Sequence, residues 1–331
     1  MTMVWNCLRA TMFALAAVAC LLPVAGHAQS KVEFPNRPVR LLVPVAAGGG
    51  LDITTRTVAQ KMTQSWGQQV LVDNRPSAGG VLAFDLTIKA TPDGHTLLSM
   101  SADHVINSVP SPSRPYDITR DVTAVSQMTA LSYLVYSHPS MPFTNFRELV
   151  SYARANPDKL NYGTPGPGSL QHLGWEVLGQ MTGIKLTHVP YKGGAPAIAA
   201  TVAGDVQVGF ITLTSARPLM QGSRIRTLAA ASRARMPAMP DVPTVAESGF
   251  PGYELNQYYG IMTAAKTPPA IVRKISDTIA AAVKAPDIQQ RFEPEGWELV
   301  GSTPEEFRKV IRDDLDKWTK ITKSIGLTFN Q

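Results

Sequence analysis

The 331-residue chain has two cysteines, Cys7 and Cys20. Both lie in an N-terminal stretch that reads as removable, so the mature chain has none. Disulfides and thiolate chemistry are thereby excluded, although the same stretch points to an oxidising compartment. A chain of this size buries its core without covalent staples. No Gly-x-Ser-x-Gly turn occurs, which removes the usual setting of a serine nucleophile. Ser169 and His172 lie one helical turn apart, but that spacing alone does not make a hydrolase pair. Six histidines are present, His27 among them in the removable stretch, and no two have helix-face metal spacing. No Walker sequence appears, and Gly166-Pro167-Gly168 followed by Ser169-Leu170-Gln171 fails the dinucleotide pattern. No metal, cofactor or catalytic residue is expected. The chain also lacks a block of five or six basic residues. Its densest basic stretch, Arg224 to Arg235, is broken by apolar runs, and the formal charge is +6. That balance suits anionic small ligands rather than nucleic acid.

The removable stretch is residues 1–28. Arg9 supplies a positive start, Met12 to Val24 is apolar but short for a bilayer, and Ala25-Gly26-His27-Ala28 ends small-x-small. This is the pattern of a cleaved secretory signal. The competing readings are a membrane anchor and a lipoprotein modified at Cys20, which Ala17-Val18-Ala19 fits poorly. The remaining length, roughly 300 residues, suggests two lobes of ordinary domain size.

The chain carries glycine loops where strands hand over to helices. The first is Pro44 to Asp52, after the apolar run Val39 to Val43. The second, Asn74 to Gly80, follows Val70-Leu71-Val72, and a third runs from Gly163 to Ser169. At such a junction free N–H groups and the positive end of the helix dipole converge, so an anion is held without a charged side chain. No nucleophile or metal ligand stands in the first loop. The combination points to holding a small anion rather than transforming it.

Strand-like and helix-like segments alternate throughout. Helices are expected over 52–66, 78–90, 144–155, 170–182, 195–203 and 215–221. Strands are expected over 39–43, 70–72, 95–100, 161–163, 185–189, 206–211 and 227–231. Pro110 to Pro115 reads as loop. Val122 to Tyr136 reads as one or two extended segments crossing between lobes. Two further helices close the chain. One is capped by Thr267 with Pro268 first and Ile271, Val272, Ile275, Ile279 and Val283 on one face. The other opens on a capping box of Thr303, Pro304 and Glu306, with Phe307, Val310, Ile311, Trp318 and Ile321 inward. This alternation predicts an α/β fold with largely parallel sheets. Loops at strand ends are where such sheets bind ligands.

Six motifs then occur in order: Pro44 to Asp52; Asn74-Arg75-Pro76-Ser77-Ala78-Gly79-Gly80; Asp93-Gly94-His95-Thr96-Leu97; Gly166-Pro167-Gly168-Ser169 with His172-Leu173; His188 to Gly193; and Pro240 to Thr244 with Glu247-Ser248-Gly249. In these the chain closely resembles the periplasmic receptors of tripartite tricarboxylate transporters, the Bug family, over essentially its whole mature length. The resemblance implies a type II periplasmic-binding-protein fold: two α/β lobes around a ligand cleft with a hinge. Lobe 1 would be 29–130 with 250–331, and lobe 2 would be 131–249. It implies a periplasmic, monomeric receptor that is not an enzyme. Such a receptor captures a small organic carboxylate and delivers it to a membrane permease. The alternatives are a co-receptor for a membrane sensor kinase and, from another class, a secreted carboxylate-processing enzyme.

Ligand contact is expected from Ala46, Ala47, Gly48 and Gly49 by backbone N–H, and from Ser101, Ala102 and His104 at the cleft mouth. The second lobe would add Thr164, Gly168, Ser169, Tyr191 and Thr212. Asp52 is expected to cap its helix or order the first loop, close to the ligand. Arg75 is expected to tie loops together and Lys192 to be solvated. Two departures from the family pattern bear on specificity. Val45 replaces a common aromatic, which reshapes that wall. Ile211-Thr212 stands where Asp-Asn is common, which removes a carboxylate suited to a ligand amine. The expectation is therefore a plain dicarboxylate, tricarboxylate or aromatic carboxylate rather than an amino acid.

Overall fold

The computed structural model describes residues 34–109 and 116–326. The stretch 1–28 expected to be a signal and the stretch 110–115 expected to be loop lie outside the described residues. Contacts divide the chain into 1–36 and 37–331, and the second unit holds every named helix and strand.

The first half opens with β1 (Val39–Val43), α1 (Gly50–Trp66), β2 (Val70–Asn74), α2 (Val81–Ile88), β3 (Thr96–Ser101) and α3 (Ala102–Ile106). β4 (Val122–Ser137) comes next, then α4 (Phe146–Ala155), β5 (Asn161–Thr164), α5 (Leu170–Thr182), β6 (Thr187–Pro190) and α6 (Gly194–Ala203). After these stand β7 (Val208–Thr212), α7 (Leu213–Gln221), β8 (Arg226–Ala230) and β9 (Asn256–Ala264). The chain ends with α8 (Pro269–Val283), α9 (Pro286–Phe292), β10 (Trp297–Leu299) and α10 (Pro304–Ser324).

The strands join in the order β2-β1-β3-β9-β4-β7-β5-β6, with β8 and β10 added to β4. The expectation of largely parallel sheets needs correction. Among the described strands, parallel pairing joins β1 with β2 and β3, and β5 with β6 and β7, in the outer part of each half. The centre is antiparallel, because β9 runs against both β3 and β4. β9 is an unbroken strand that the expected alternation of strands and helices does not include. It comes after a long turn-rich stretch rather than a helix, and it carries mixed polar and aromatic residues.

β4 is one 16-residue strand, and it serves both halves. Residues 122–132 pair with β9, and residues 133–137 pair with β7. Register shifts at 124/126 and 127/129 mark bulges, which bend and twist a strand so that it can change sheets. The chain thus crosses between the halves on β4 and returns just before β9. At that return Leu255 packs where a side chain on Gly174 would stand, and the Tyr253 hydroxyl donates to the Gly174 carbonyl at 3.2 Å. Helix α5 is thereby seated on the crossing segment.

Local chemistry explains most boundaries. Val39, Leu41, Leu42 and Val43 are fully buried, as a central parallel strand requires. The Asn145 side chain accepts from the Glu148 N–H and starts α4. The capping box of Thr303 and Glu306 is formed as expected, and Phe307, Ile311 and Trp318 are buried. Thr267 is not a cap. Its hydroxyl donates to the Ala264 carbonyl, and α8 begins at Pro269, one residue late. The expected helix from Ala78 starts at Val81, because Gly79 and Gly80 both take left-handed backbone. Among the described residues no helix is long and apolar enough to cross a membrane.

Candidate functional site

The first loop leaves β1 at Pro44, which is buried, and surfaces at once. Ala46, Ala47, Gly48, Gly49 and Gly50 are all exposed. The first bond of α1 runs from the Ile53 N–H to the Gly49 carbonyl at 2.9 Å. The N–H groups of the preceding turn therefore have no intrahelical acceptor and remain available to an anion. Gly50 is required by close approach, because a Cβ there would stand 2.7 Å from the Tyr259 hydroxyl oxygen.

Asp52 explains how this loop keeps its shape. Its side chain is buried, and it does not cap the helix, since Gly49 occupies that position. One carboxylate oxygen accepts the Gly48 N–H at 2.9 Å, and the other accepts Asn74 Nδ2 at 2.8 Å. Arg56 Nε reaches both oxygens, at 3.1 and 3.0 Å. Burial pushes its pKa up, but the bonds from Arg56, Gly48 and Asn74 outweigh this and hold the carboxyl below the ordinary range. Of the two roles expected for Asp52, the structure shows the second: it orders the loop rather than caps the helix. The Gly48 N–H is spent on Asp52, and Asp52 has no free lone pair aimed at a ligand. Asp52 is a loop organiser, linking the first glycine loop to the second through Asn74. Asn74 Nδ2 also donates to the Val45 carbonyl at 3.0 Å. The Arg75 side chain pairs with Asp73, two residues back in β2, and its backbone N–H donates to the Val43 carbonyl at the end of β1.

The turn at the start of α3 stands beside this loop. Nδ1 of His104 accepts from the Ser101 N–H at 3.1 Å and lies 2.7 Å from Ser101 Oγ. The ring is almost fully buried, and desolvation lowers its pKa to about 4, against a raising effect from Asp103. The neutral ring thus carries its proton on Nε2. That edge faces Gly80 and Pro44: a Cβ on Gly80 would meet Nε2 at 2.9 Å, the ring carbon Cδ2 at 2.6 Å and Pro44 Cβ at 2.9 Å. The Gly80 φ of 75° also favours glycine. His104 therefore locks the second glycine loop against the first. Ser101 is engaged by His104. The Ala102 N–H is likewise engaged, donating to Gln257 Oε1 at 3.0 Å.

In the other half, the loop from Thr164 to Ser169 is closed by its own bonds. Thr164 Oγ1 accepts from the Gly166 N–H and sits 2.6 Å from His188 Nε2. The Gly168 N–H donates to His172 Nδ1 at 3.1 Å. Ser169 Oγ donates to the Gly166 carbonyl at 2.7 Å and accepts the His172 N–H at 3.3 Å. Ser169 is thus the N-cap of α5, and neither its hydroxyl nor the Gly168 N–H is a free donor, contrary to expectation. Behind the loop His172 stacks on His188 at 4.2 Å, and His188 stacks on Tyr162 at 5.0 Å. Desolvation, then the neighbouring His172, lowers the His188 pKa to about 4. The His172 pKa is lowered by the same burial. Tyr191 is half-buried and holds the loop by its N–H to the Thr164 carbonyl at 2.9 Å. Thr212 ends β7 opposite Tyr133, with its hydroxyl donating to Ser215 Oγ at 3.2 Å. Lys192 is exposed, as expected.

The structure adds residues that sequence reasoning missed. Asp103 Oδ1 accepts from the Leu170 N–H of α5 at 3.3 Å, and Oδ2 accepts from Gln257 Nε2 at 2.6 Å. Gln171 Nε2 donates to the Tyr133 hydroxyl at 3.2 Å. Burial and the Asp103 charge both push the Tyr133 and Tyr259 phenols up, so they stay protonated donors. Gln257 and Tyr259 sit two apart on β9 and so share a face. Only recognition of β9 could have revealed them. Asp103 had a signal, an acidic residue between Ala102 and His104, that passed unused. Among the described residues no group of His, Cys, Asp or Glu is placed to hold a metal. A cavity of about 700 Å³, lined by Leu131, Ser232, Arg233, Met236 and Trp297 among others, lies at the edge of the crossing strands and includes none of the expected ligand residues.

Two α/β halves joined by crossing strands, with Asp103 of the first half accepting from the Leu170 N–H at the start of α5 in the second, define a two-lobed solute-binding protein. Residues 54–327 match the family model described as tripartite tricarboxylate transporter family receptor, and the chain belongs to that family. The family is one of solute-binding receptors, not enzymes. The chain is 34% identical to the UPF0065 protein of the tcbD-tcbE intergenic region of Pseudomonas sp. strain P51, covering 96% of this chain and 95% of that one. It is similar to a solved structure of R. palustris Rpa4515 with adipate, at TM-score 0.77 and 31% identity over 89% of this chain and 99% of that one. It is also similar to MatC of Rhodopseudomonas palustris with bound malate, at TM-score 0.73 and 28% identity over 87% and 99%.

Proposed function

We propose that the protein is a periplasmic receptor for a small organic carboxylate: a dicarboxylate, a tricarboxylate or an aromatic carboxylate. It closes two lobes, 29–130 with 250–331 and 131–249, on the ligand and delivers it to a tripartite permease. The observation that carries this reading is the exposed turn 46–50. It presents backbone N–H groups at the start of α1 while Asp52 holds its shape from beneath. Backbone dipoles neutralise a carboxylate without desolvating a charged side chain, which is the costly alternative. The adipate and malate on the related receptors are of the same ligand class.

The ligand contacts we assign are the backbone of Ala46, Ala47 and Gly49 and the phenols of Tyr191 and Tyr259, with His104 holding the two glycine loops together behind them. Gly48, Asp52, Ser101, Ala102, Thr164, Gly168, Ser169 and Thr212 shape the walls. Closure results from differential contact. Bonds made to both lobes exist only in the closed form, so the ligand shifts the population towards it.

The test is calorimetry and thermal unfolding of mature protein stripped of ligand. The panel holds citrate, succinate, adipate, glutamate, pyroglutamate, nicotinate and terephthalate. A ligand at ~100 times its Kd adds about 2.7 kcal/mol of stability. The expected result is a rise in Tm with one carboxylate subclass. No rise with any member refutes the reading.

A further inference from the structure

Asp103 stands in the site with no cationic side chain beside it. Among the described residues it forms no salt bridge. Its neighbour His104 is neutral at ordinary pH. Its partners are an amide N–H and a backbone N–H drawn from opposite sides: Gln257 on β9 and Leu170, the first residue of α5. The bond to Leu170 spans 67 positions in sequence and joins the two halves. Around it stand the phenols of Tyr133 and Tyr259, and Tyr259 in turn touches Gly50 of the first loop. A carboxylate of the protein itself therefore occupies the N-terminus of α5, at the positive end of the helix dipole.

We propose that Asp103 is a specificity-determining residue that selects the far end of the ligand. This rests on the carboxylate-receptor reading above. A ligand anchored by one carboxylate at residues 46–50 extends towards α5. If its far end is a second carboxylate, it meets the Asp103 charge and must displace it from Leu170. If its far end is a hydroxyl or an ammonium, Asp103 accepts a hydrogen bond from it, and the unspent lone pairs of the carboxylate are used. The carboxylate missing at Thr212 is thus replaced from the other lobe, and a ligand amine regains an acceptor. The proposal narrows the reading above: among small organic carboxylates it favours those with a hydrogen-bond donor at the end opposite the anchoring carboxylate, and it disfavours an unsubstituted dicarboxylate.

Four probes of one length test this: adipate, hexanoate, 6-hydroxyhexanoate and 6-aminohexanoate. Calorimetry gives Kd for each with mature wild-type protein, with Asp103→Asn and with Asp103→Ser. Wild type is expected to bind the amino and hydroxy probes more tightly than adipate. In Asp103→Asn the ratio of adipate Kd to 6-aminohexanoate Kd is expected to fall about tenfold or more. Asp103→Ser should shift the ratio the same way, so a folding defect in one variant does not decide the matter. A purely structural Asp103 would scale all four affinities together, and an unchanged ratio overturns the proposal while leaving the receptor reading intact. Wild type preferring adipate to the donor-ended probes also overturns it. Binding of none of the four by any form overturns the proposal, and the carboxylate panel above decides the receptor reading separately.

Discussion

Replacing Asp52 by alanine tests whether the first loop is built from beneath or shaped by the ligand. The carboxylate accepts from Gly48, Asn74 and Arg56. Hydrogen bonds to a charged acceptor contribute about 1.5–3 kcal/mol each. Three discounts apply. Arg56 is half-exposed, so its share falls to about 0–1 kcal/mol. Asn74 keeps the Val45 carbonyl as acceptor, and Gly48 is open to water. The net loss is then about 2–3 kcal/mol, which lowers Tm by on the order of 5 °C in a chain of this size. Affinity should fall further, because fixing the backbone of each freed residue costs about 1–2 kcal/mol on binding. Releasing two residues weakens Kd by at least tenfold. Asp52→Asn, which keeps one acceptor oxygen, should lie between. The assays are thermal unfolding without ligand and calorimetry with the carboxylate that binds. A Tm drop with unchanged Kd would confine Asp52 to the stability of α1. Tighter binding would refute the reasoning outright, since it would mean that Asp52 repels the ligand rather than organises its donors.

Gly50→Ala should weaken binding by about tenfold with little change in Tm, because its Cβ displaces the Tyr259 hydroxyl from the cleft. Unaltered Kd would remove Tyr259 from the site. Gly80→Ala meets the His104 ring and Pro44 at under 3 Å and sits at positive φ, so it should cost about 2–4 kcal/mol by chemical denaturation; a loss under ~1 kcal/mol would show that His104 does not lock the two loops. His104 and His188 are held neutral, with pKa lowered to about 4. The unfolded chain therefore takes up their protons first, and stability is complete above about pH 6.5 and lost progressively as pH falls to about 4. His188→Gln should flatten that slope in denaturant titrations between those pH values, and a slope that survives unchanged would assign the effect to other groups.

The outer scaffold is legible in the sequence because local chemistry agrees with tertiary structure there. β1 is apolar enough to be a buried strand in any context, and Thr303 with Glu306 writes its own helix start. The glycine loops are legible as positions, but not as donor inventories. Whether the Gly48 or Gly168 N–H is free depends on Asp52 and His172, whose rotamers are set by residues elsewhere. β9 is illegible for a different reason. It alternates Gln257 and Tyr259 with Tyr258 and Gly260 at the centre of a sheet, so neither its pattern nor its flanks announce a strand.

Selectivity depends on that strand. Loops alone would place every ligand contact on backbone, and a backbone site distinguishes carboxylates from other groups but not from one another. β9 brings Tyr259 against Gly50 of the first loop and, through Gln257, holds the carboxylate of Asp103. Gln257→Glu puts a second acid against Asp103 and removes the amide that donates to it. Two carboxylates at that separation cannot both ionise cheaply, so the pair should take up a proton near neutral pH. Affinity for a donor-ended ligand would then become pH-dependent, rising as pH increases and the shared proton leaves, whereas wild type should show no such rise over the same range. Calorimetry of 6-aminohexanoate from about pH 5.5 to 8.5 reads this directly. Parallel, flat profiles for the two proteins would show that Gln257 and Asp103 do not meet the ligand as one unit.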